Sequence, residues 1–516
     1  MNKELQTVFE YHLATKHSQQ RYARSLGYMD WATQPDPFRE YKGVESIELP
    51  LSFENVTPPY HLLDSELPPA PLVVESLSQL LQFSMGIAAY KESGGSSWAV
   101  RCNASSGNLH PTETYLVLPP MMDRDKTSIM HYTPKNHGLE ILSECETSFW
   151  NTLPENSFLL GFSSITWREI WKYGERAFRY TQLDAGHAWQ SLVVSAKMLG
   201  WKITRLDSIS DSEIDTLFGL KQEDRFFERE NADMLFIVSK ESVDSSINVD
   251  DLLENISLKF DGVANKLSQS MQNWDIIPAI EDSTSVMQIS QNNVIKLNIQ
   301  RNPTQESKNI VLNRRSIHIM NKDTSLISKD DFHTVLSSVN GSLDSKENST
   351  HLAIFVHRVE SYDSGLYILV RNDRDLESLK SNMHDNFLWK KTELENLYFL
   401  ESRDFKLASK SISCNQDIAS DGAFSMGMLS NFSEQLHSHG AHRYKELYWE
   451  CGMIGQELYL ESTSLRLSGT GIGCFLDDMM HRLLGIKNNN FQILYHFTVG
   501  RGNVDRRIMT KPAYNR

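Results

Sequence analysis

The sequence has no long apolar run and little cysteine. No apolar stretch approaches the ~18–20 residues of a membrane-spanning helix, so we expect no membrane association. The start of the chain also lacks the apolar segment of a signal peptide. The cysteines are odd in number, widely spaced and not in a metal-binding pattern, which favours a reduced cytoplasm. They are Cys102, Cys145, Cys414, Cys451 and Cys474.

An excess of positive charge is also missing. The chain has 51 Lys and Arg against 66 Asp and Glu, a net charge of −15. This balance argues against a general nucleic-acid surface. It still allows a small anionic ligand, since a few arginines can make a local positive pocket. His437, His439 and His442 have no carboxylate or cysteine at helical spacing, so we predict no metal site.

An internal repeat sets the domain count. Residues 184–220 align without a gap to residues 450–486, at a constant separation of 266 positions. The matching pairs are Gly186/Gly452, Gln190/Gln456, Leu192/Leu458, Asp211/Asp477, Leu217/Leu483 and Gly219/Gly485. A constant offset through a helix, a loop and a second helix predicts two fused copies of one module. The length of 516 residues, too long for a single core, agrees.

The organisation that we predict is an extension at 1–60, a first domain at 61–264, a linker at 265–305 and a second domain at 306–516. The linker is rich in Ser, Asn and Gln. Apolar spacing predicts helices at 73–85, 167–199 with a break near Gly174, 329–339 and 444–466. It predicts strands at 115–118, 234–238, 351–356, 366–370 and 494–499. The mixture indicates an α+β layered fold.

A first group of chemistry-bearing residues precedes the strand at 115–118. Ser105, Ser106 and Asn108 could meet the carbonyls and nitrogens of a flat heteroaromatic ring, and Gly107 would let the backbone approach it. An ordinary Ser/Asn/Gly turn before a strand fits the same residues.

A second group is basic. Arg314 and Arg315, followed by Ser316 and His318 and placed just before a helix, could clamp a phosphate. A solvated basic cluster is the alternative.

A third group is the glycine-rich loop at 469–478, with Gly471 and Gly473. It lacks the G-x-G-x-x-G spacing and the following acidic residue of a dinucleotide site, so we reject a Rossmann interpretation. A loop that presses its amides against a ring remains open.

These segments resemble one family. The run from Arg101 to Pro111 is similar to the Arg-x-x-Pro-Ser-Ser-x-Asn-x-x-Pro segment of the flavin-dependent nitroreductase superfamily. Segments 11–17, 130–140 and 172–187 resemble its SagB-type branch, which includes dehydrogenases that oxidise azolines to azoles in peptide maturation. Arg314 to Ser316 resembles the superfamily's opening Arg-x-Ser-x-Arg motif. Segments 450–456, 469–478 and 494–500 also resemble its signatures.

The resemblance implies a fold and a cofactor. Nitroreductases are α+β homodimers that bind FMN between their subunits, so this chain would carry two tandem nitroreductase-like domains as an intrachain pseudo-dimer, itself a monomer. The first domain has the ring-facing turn, which residues 344–350 of the second lack, and the second has the arginine motif. One complete FMN site follows. Its phosphate residues would be Arg314, Arg315, Ser316, His318 and Arg501, and its ring residues Arg101, Ser105, Ser106, Gly107, Asn108, Gly471 and Gly473.

The resemblance also implies a catalytic pair, Lys172 and Tyr173, where the second copy has Ser438 and His439. Helix surface and packing would explain the pair equally well. Two residues depart from the family pattern. Ala104 replaces a proline of the turn, and His318 replaces the final basic residue of the phosphate motif.

We therefore expect an FMN-dependent oxidoreductase acting on a small flat organic or peptide-derived substrate, with NAD(P)H as a candidate electron donor. Two alternatives stay open. One is a degenerate flavin-binding or scaffold protein without turnover, and the other is an azoline dehydrogenase of peptide maturation.

Overall fold

A computed structural model describes residues 2–244, 247, 249–256, 259–285, 305–341 and 348–514. Its helices are α1 Lys3–Ala14, α2 Val74–Ser84, α3 Trp167–Tyr173, α4 Ala177–Met198, α5 Asp211–Leu217, α6 Asp250–Asn255, α7 Ile276–Ser283, α8 Ser307–Asn313, α9 Lys329–Ser337, α10 Leu376–Asn382, α11 Lys406–Ile412, α12 Ile418–Asp421, α13 Ser433–His439, α14 Arg443–Ser464 and α15 Asp477–Leu484. In the described part of the chain, no helix combines the length and apolar character needed to cross a membrane.

The strands are β1 Tyr41–Lys42, β2 Ser46–Glu48, β3 Ile87–Ser93, β4 Ser96–Arg101, β5 Thr112–Leu118, β6 Thr127–Thr133, β7 Gly138–Cys145, β8 Phe158–Ser164, β9 Lys202–Arg205, β10 Asn231–Ser239, β11 Val263–Ala264, β12 Thr350–Val356, β13 Gly365–Leu369, β14 Lys390–Lys391, β15 Leu397–Ser402, β16 Phe424–Asn431, β17 Ser468–Ile472, β18 Phe491–Gly500 and β19 Met509–Pro512. The helices and strands predicted from apolar spacing are all present, with ends that differ by a few residues.

Two seven-stranded antiparallel sheets form the two halves of the molecule. Their strand orders are β2-β7-β6-β5-β8-β10-β9 and β14-β15-β13-β12-β16-β18-β17. From the second position onward the second order repeats the first, while the edge strands β2 and β14 come from different places in the chain. The last strand, β19, leaves the second half and pairs with β3 of the first half, with Met509 opposite Glu92 and Pro512 opposite Ala89. A strand from the second half therefore extends a small sheet of the first half and connects the two.

The helices confirm the internal repeat. Helices α13, α14 and α15 begin 266 positions after α3, α4 and α5. The predicted break near Gly174 is present, and this glycine has φ +54° where its backbone passes Arg24 and Ser25. The predicted α+β fold with two tandem domains forming an intrachain pseudo-dimer is confirmed, while the predicted domain boundaries stay predictions. Residues 286–304 of the predicted linker lie outside the described residues.

The long helices α4 and α14 pack against each other at two glycines. A Cβ atom built on Gly186 would lie 2.2 Å from the carbonyl oxygen of Trp449, and one built on Gly452 would lie 2.1 Å from that of Leu183. Gly186 and Gly452 are equivalent in the repeat, as are Leu183 and Trp449. The two contacts are thus the two halves of one pseudo-symmetric helix crossing, where the backbones meet without an intervening side chain.

Gly452→Ala is expected to destabilise the fold by about 1–3 kcal/mol, because the new methyl group meets backbone that cannot rotate away. Urea unfolding followed by circular dichroism measures this loss. Ser438→Ala, at an exposed position of α13, is the control and should unfold at the wild-type midpoint. An alanine at 452 that leaves the midpoint unchanged would mean that the helices do not cross there.

Buried ion pairs follow the same pseudo-symmetry. Arg179 of α4 donates to Asp477 of α15 at 2.9 Å, and the equivalent Lys445 of α14 donates to Asp211 of α5. Both pairs are buried. They connect each long helix to the opposite half, so the interface between the halves is held by charge as well as by apolar packing.

The first 60 residues contact both halves. His17 in the segment after α1 donates its backbone N–H to Asp477 of the second half. Strand β1 pairs with β11, and β2 forms an edge of the first sheet. Residues 1–60 therefore touch both halves, and their assignment as a separate extension stays a prediction.

Candidate functional site

The turn between β4 and β5 is fixed by one buried carboxylate. Asp184 of α4 accepts hydrogen bonds from Ser105 Oγ at 2.6 Å, from Ser106 Oγ at 2.9 Å and from the Ser106 backbone N–H at 2.9 Å. Burial raises the pKa of Asp184 to about 7, although these hydrogen bonds act in the opposite direction. The two serine hydroxyls therefore point at Asp184 and shape the turn.

Lys172 and Tyr173 lie directly over this turn. A Cβ atom built on Gly107 would lie 2.7 Å from Tyr173 Oη and 3.0 Å from Lys172 Nζ. Gly107 also has φ +60°, a conformation that glycine adopts without strain. The structure thus brings together the predicted ring-facing turn and the predicted catalytic pair, and only glycine leaves room for both.

Arg101 and Asn108 have their side chains engaged within the first half. Arg101 is buried, donates Nη2 to the Pro37 carbonyl at 2.5 Å and packs over Phe38. Burial lowers its pKa to about 10. The Asn108 amide donates to the Ala99 carbonyl at 2.9 Å. Both side chains therefore bind backbone carbonyls within the first half. The direct ring contacts predicted for them stay predictions.

Arg314 connects the two halves of the predicted site. Its guanidinium donates to the carbonyl oxygens of Cys102 and Arg101, each at 2.9 Å, and lies 5.2 Å from the centre of the Tyr459 ring. The prediction that the arginines stand before a helix is wrong: α8 ends at Asn313, so they follow one. The N–H groups of Arg314 reach across to the first half.

The other residues predicted to bind the phosphate lie in the segment that follows Arg314 and in the adjacent segment at Arg501. Arg315 donates Nη1 to the carbonyls of Leu312 and Arg314, and its pKa is lowered to about 10 by burial and by the neighbouring Arg314 charge. The Ser316 hydroxyl lies 2.8 Å from that of Tyr459. His318 and Arg501 are exposed. A hydrogen bond from the backbone of residue 321 to the Arg501 carbonyl, 2.7 Å, keeps the two segments adjacent.

The glycine-rich segment forms the opposite wall. Its prediction as a loop is wrong for Gly471, which lies in the edge strand β17 because residues 468–472 pair with β18. The Gly471 N–H donates to Tyr459 Oη at 2.8 Å. The Gly473 carbonyl accepts from Tyr180 Oη at 3.0 Å, and the Tyr180 ring centre lies 4.4 Å from that of Tyr173. Tyr180 therefore links this wall to the predicted catalytic pair.

A disulfide follows this wall. Cys474 is bonded to Cys414, 60 positions earlier. No sequence pattern predicts this pairing, since the two residues share no short-range spacing.

Sequence reasoning missed three residues of the seam between the halves: Asp184, Tyr459 and Gln456. Gln456 of α14 accepts from the Ala104 backbone N–H at 3.0 Å and donates to the Cys102 carbonyl at 3.3 Å. Its match to Gln190 in the repeat was the available signal. Asp184 matches the acidic Glu450, which accepts from backbone N–H groups of 349 and 350 in the same way.

Several buried polar atoms around the seam have no hydrogen-bond partner within the described residues. They include Asn103 Oδ1, His110 Nδ1 and His187 Nδ1. Burial lowers the pKa of His187 to about 3, so its ring is neutral at pH 7. Unsatisfied buried groups are costly and call for an explanation such as a polar ligand. Together with Gly107, which no larger residue could replace, they fit a flat polar heterocycle such as a flavin.

The pseudo-equivalent seam is filled by protein. Arg205, the repeat counterpart of Gly471, lies 5.6 Å and 5.5 Å from the ring centres of Trp189 and Trp449. Its guanidinium donates to Asp207 at 2.6 Å and to Glu446 at 2.8 Å. A large paired cation thus occupies the place of a glycine. Of the stretch 344–350, which was predicted to lack a ring-facing turn, residues 344–347 lie outside the described residues.

A metal centre has no support in the described ranges, where no cluster of three His, Cys, Asp or Glu side chains could hold an ion.

Comparisons with known proteins point to one family. The model of the Nitroreductase family matches residues 360–501. The trifolitoxin-processing protein TfxB of Rhizobium leguminosarum bv. trifolii is 27% identical over 169 residues, which are 29% of this chain and 45% of TfxB. The chain thus spans under half the length of this relative. The crystal structure of a putative nitroreductase from Anabaena variabilis superposes with a TM-score of 0.71 at 21% identity, covering 96% of this chain and 99% of that one. This last similarity shows a common fold for both halves.

Proposed function

We propose that this chain, a nitroreductase-like protein with two tandem domains, is an FMN-dependent oxidoreductase with a single flavin site between its halves. The observation that carries the proposal is the reach of Arg314 from the second half to the backbone of Arg101 and Cys102 in the first. This contact supports a single seam that would carry both the phosphate residues and the ring-facing turn. The filled seam around Arg205 supports one site rather than two.

Residues of this chain have distinct tasks in the proposed reaction. FMN, when bound, supplies the two-electron redox chemistry. Arg315, Ser316, His318 and Arg501 would hold its phosphate through charge-assisted hydrogen bonds. The turn around Gly107 would hold the ring edge, with Gly471 and Gly473 opposite. Lys172 Nζ or Tyr173 Oη would take or give the substrate's proton, since both atoms lie over Gly107.

The substrate class that we propose is a flat or peptide-derived molecule. The similarity to a protein named for trifolitoxin processing supports a role in peptide maturation. Azoline oxidation is the narrower form of this proposal, and NAD(P)H is the candidate electron donor for the broader one. Neighbouring genes for a precursor peptide and a cyclodehydratase would favour the narrower form.

The bound ligand tests the proposal directly. We expect purified protein to have a yellow flavin spectrum and to release near one FMN per chain on denaturation. Colourless protein that ignores added FMN, or protein with two FMN per chain, would contradict it. A scaffold without turnover is the rival; it would bind FMN but fail to oxidise or reduce any member of a panel of NAD(P)H, quinones, nitroarenes and oxygen.

Arg315→Ala is expected to weaken FMN binding by about 1.5–3 kcal/mol through loss of a charge-assisted phosphate contact. Fluorescence titration of the flavin-free protein measures the affinity. Arg507→Ala removes a similar charge that is exposed and paired with Asp505, so it should bind FMN as the wild type does. Equal affinity in both variants would remove Arg315 from the phosphate site.

A further inference from the structure

Glu169 is a buried acid without a partner, one helical turn before Lys172. It has no solvent exposure, and neither carboxyl oxygen has a hydrogen-bond partner in the part of the chain that the structure describes. A carboxylate in this state is costly, because burial removes water and nothing replaces it. An ordinary structural glutamate would be paired, as Glu175 is with Arg24 a few residues later.

The groups that face Glu169 are few. Arg168, Lys172 and Tyr173 lie on its own helix, and Asp184 approaches from α4. Arg168 is already bonded to Glu113 and to the His110 carbonyl. Lys172 has its Nζ near Gly107 and forms no ion pair with Glu169 among the described residues. Burial first, and then the Asp184 charge, raises the pKa of Glu169 well above its ordinary value. That of Asp184 is also raised.

We propose that Glu169 and Asp184 together store a proton for the reaction and exchange it with the site through Lys172. The inference rests on the proposed function, because Lys172 must serve a substrate at the Gly107 turn. Glu169 does not reach that turn, so it is a positioning residue that acts through another group. Residues three apart on a helix are neighbours, which puts the flexible lysine side chain within reach of both places.

The proton balance is simple. A substrate that loses two electrons and two protons would give a hydride to the cofactor, when bound, and a proton to Lys172 as the Lys172 ammonium passes its own proton to the acid pair. The acid pair, holding one proton at rest, accepts this second proton through Lys172. It then returns the proton to solvent along the partly exposed lysine side chain. Two buried carboxyl groups whose charges repel each other retain a proton more readily than a single exposed acid does, as coupled acids do.

Infrared spectroscopy of the whole chain tests, without relying on activity, whether Glu169 and Asp184 hold a proton. We expect the wild type at neutral pH to show the carbonyl stretch of protonated carboxylic acids, and Glu169→Gln to lose the Glu169 part of this band while the part from Asp184 remains. Glu175→Gln makes the same chemical change at a paired residue and should keep the full band. A wild type without the band, or a band of unchanged intensity in Glu169→Gln, would overturn the proposal.

Kinetics of the flavin-loaded protein test the exchange. Glutamine imitates the neutral acid in size, so Glu169→Gln should keep one FMN per chain. Its turnover should fall on the order of 10–100-fold, with a changed pH profile and a changed solvent isotope effect. Wild-type kinetics and pH profile in this variant would show a purely structural acid and overturn the exchange. Protein that shows the acid band but never binds FMN would instead contradict the proposed function.

Discussion

Replacing Asp477 with alanine is expected to lower the free energy of unfolding by about 3–5 kcal/mol. Its buried carboxylate accepts from Arg179 at 2.9 Å and from Arg176 at 3.2 Å, and both guanidinium groups are buried as well. Arginine cannot shed its proton, so the variant would retain two buried positive charges. Urea unfolding monitored by tryptophan fluorescence measures the loss.

The equivalent Asp211 provides the matched comparison. Asp211→Ala removes the ion-pair partner of Lys445. A buried lysine can become neutral by losing its proton, so we expect a smaller loss of stability than for Asp477→Ala. Asp505→Ala removes an exposed ion pair and should leave the unfolding midpoint unchanged. Equal losses for Asp477→Ala and Asp505→Ala would contradict the role of the buried cluster.

Asp477 also makes the stability of the fold depend on pH in the acid range. Burial acts to raise its pKa, but Arg176 and Arg179 hold it well below the ordinary value. A depressed carboxyl pKa stabilises the fold above the unfolded value of about 3.9, and this stability is lost as the pH falls below it. The alanine variant should therefore lose less stability on acidification than the wild type does.

At least one of the variants Lys172→Met and Tyr173→Phe is expected to turn over about 10²–10⁴-fold more slowly than the wild type, without loss of bound FMN. Each variant removes a proton-transfer group over Gly107 and keeps most of the side-chain volume. Stopped-flow measurement of the flavin half-reactions, with flavin content checked by absorbance, separates chemistry from binding.

The second copy supplies the controls for this pair. Ser438→Ala and His439→Gln alter the repeat positions of Lys172 and Tyr173, which are exposed on α13. They should turn over as the wild type does. Full activity in both Lys172→Met and Tyr173→Phe would leave packing as the role of the pair.

Much of the fold could be predicted because apolar spacing and the repeat are local or periodic signals. The constant offset between Gly186 and Gly452 predicted the tandem halves, and the structure explains it by the close crossing of α4 and α14. The break near Gly174 could be predicted because glycine is the residue that adopts a positive φ without strain.

The parts that could not be predicted depend on contacts between distant segments. In the sequence Asp184 is one more polar residue of a long helix, and its hydrogen bonds from Ser105 and Ser106 form only when the distant turn folds against that helix. Gly471 was predicted in a loop because nothing local indicates its pairing with β18. The Cys414–Cys474 disulfide and the contact between Arg314 and Cys102 likewise require the folded chain.

Arg205 has a consequence for how such a molecule can change over generations. In an assembly of two identical subunits, a codon change that puts arginine where glycine was would alter both seams at once, and neither could then accept a ligand. Here the two positions are separately encoded. One seam could therefore become permanent internal packing while its counterpart kept its glycine, an asymmetry closed to any protein whose halves share one gene segment.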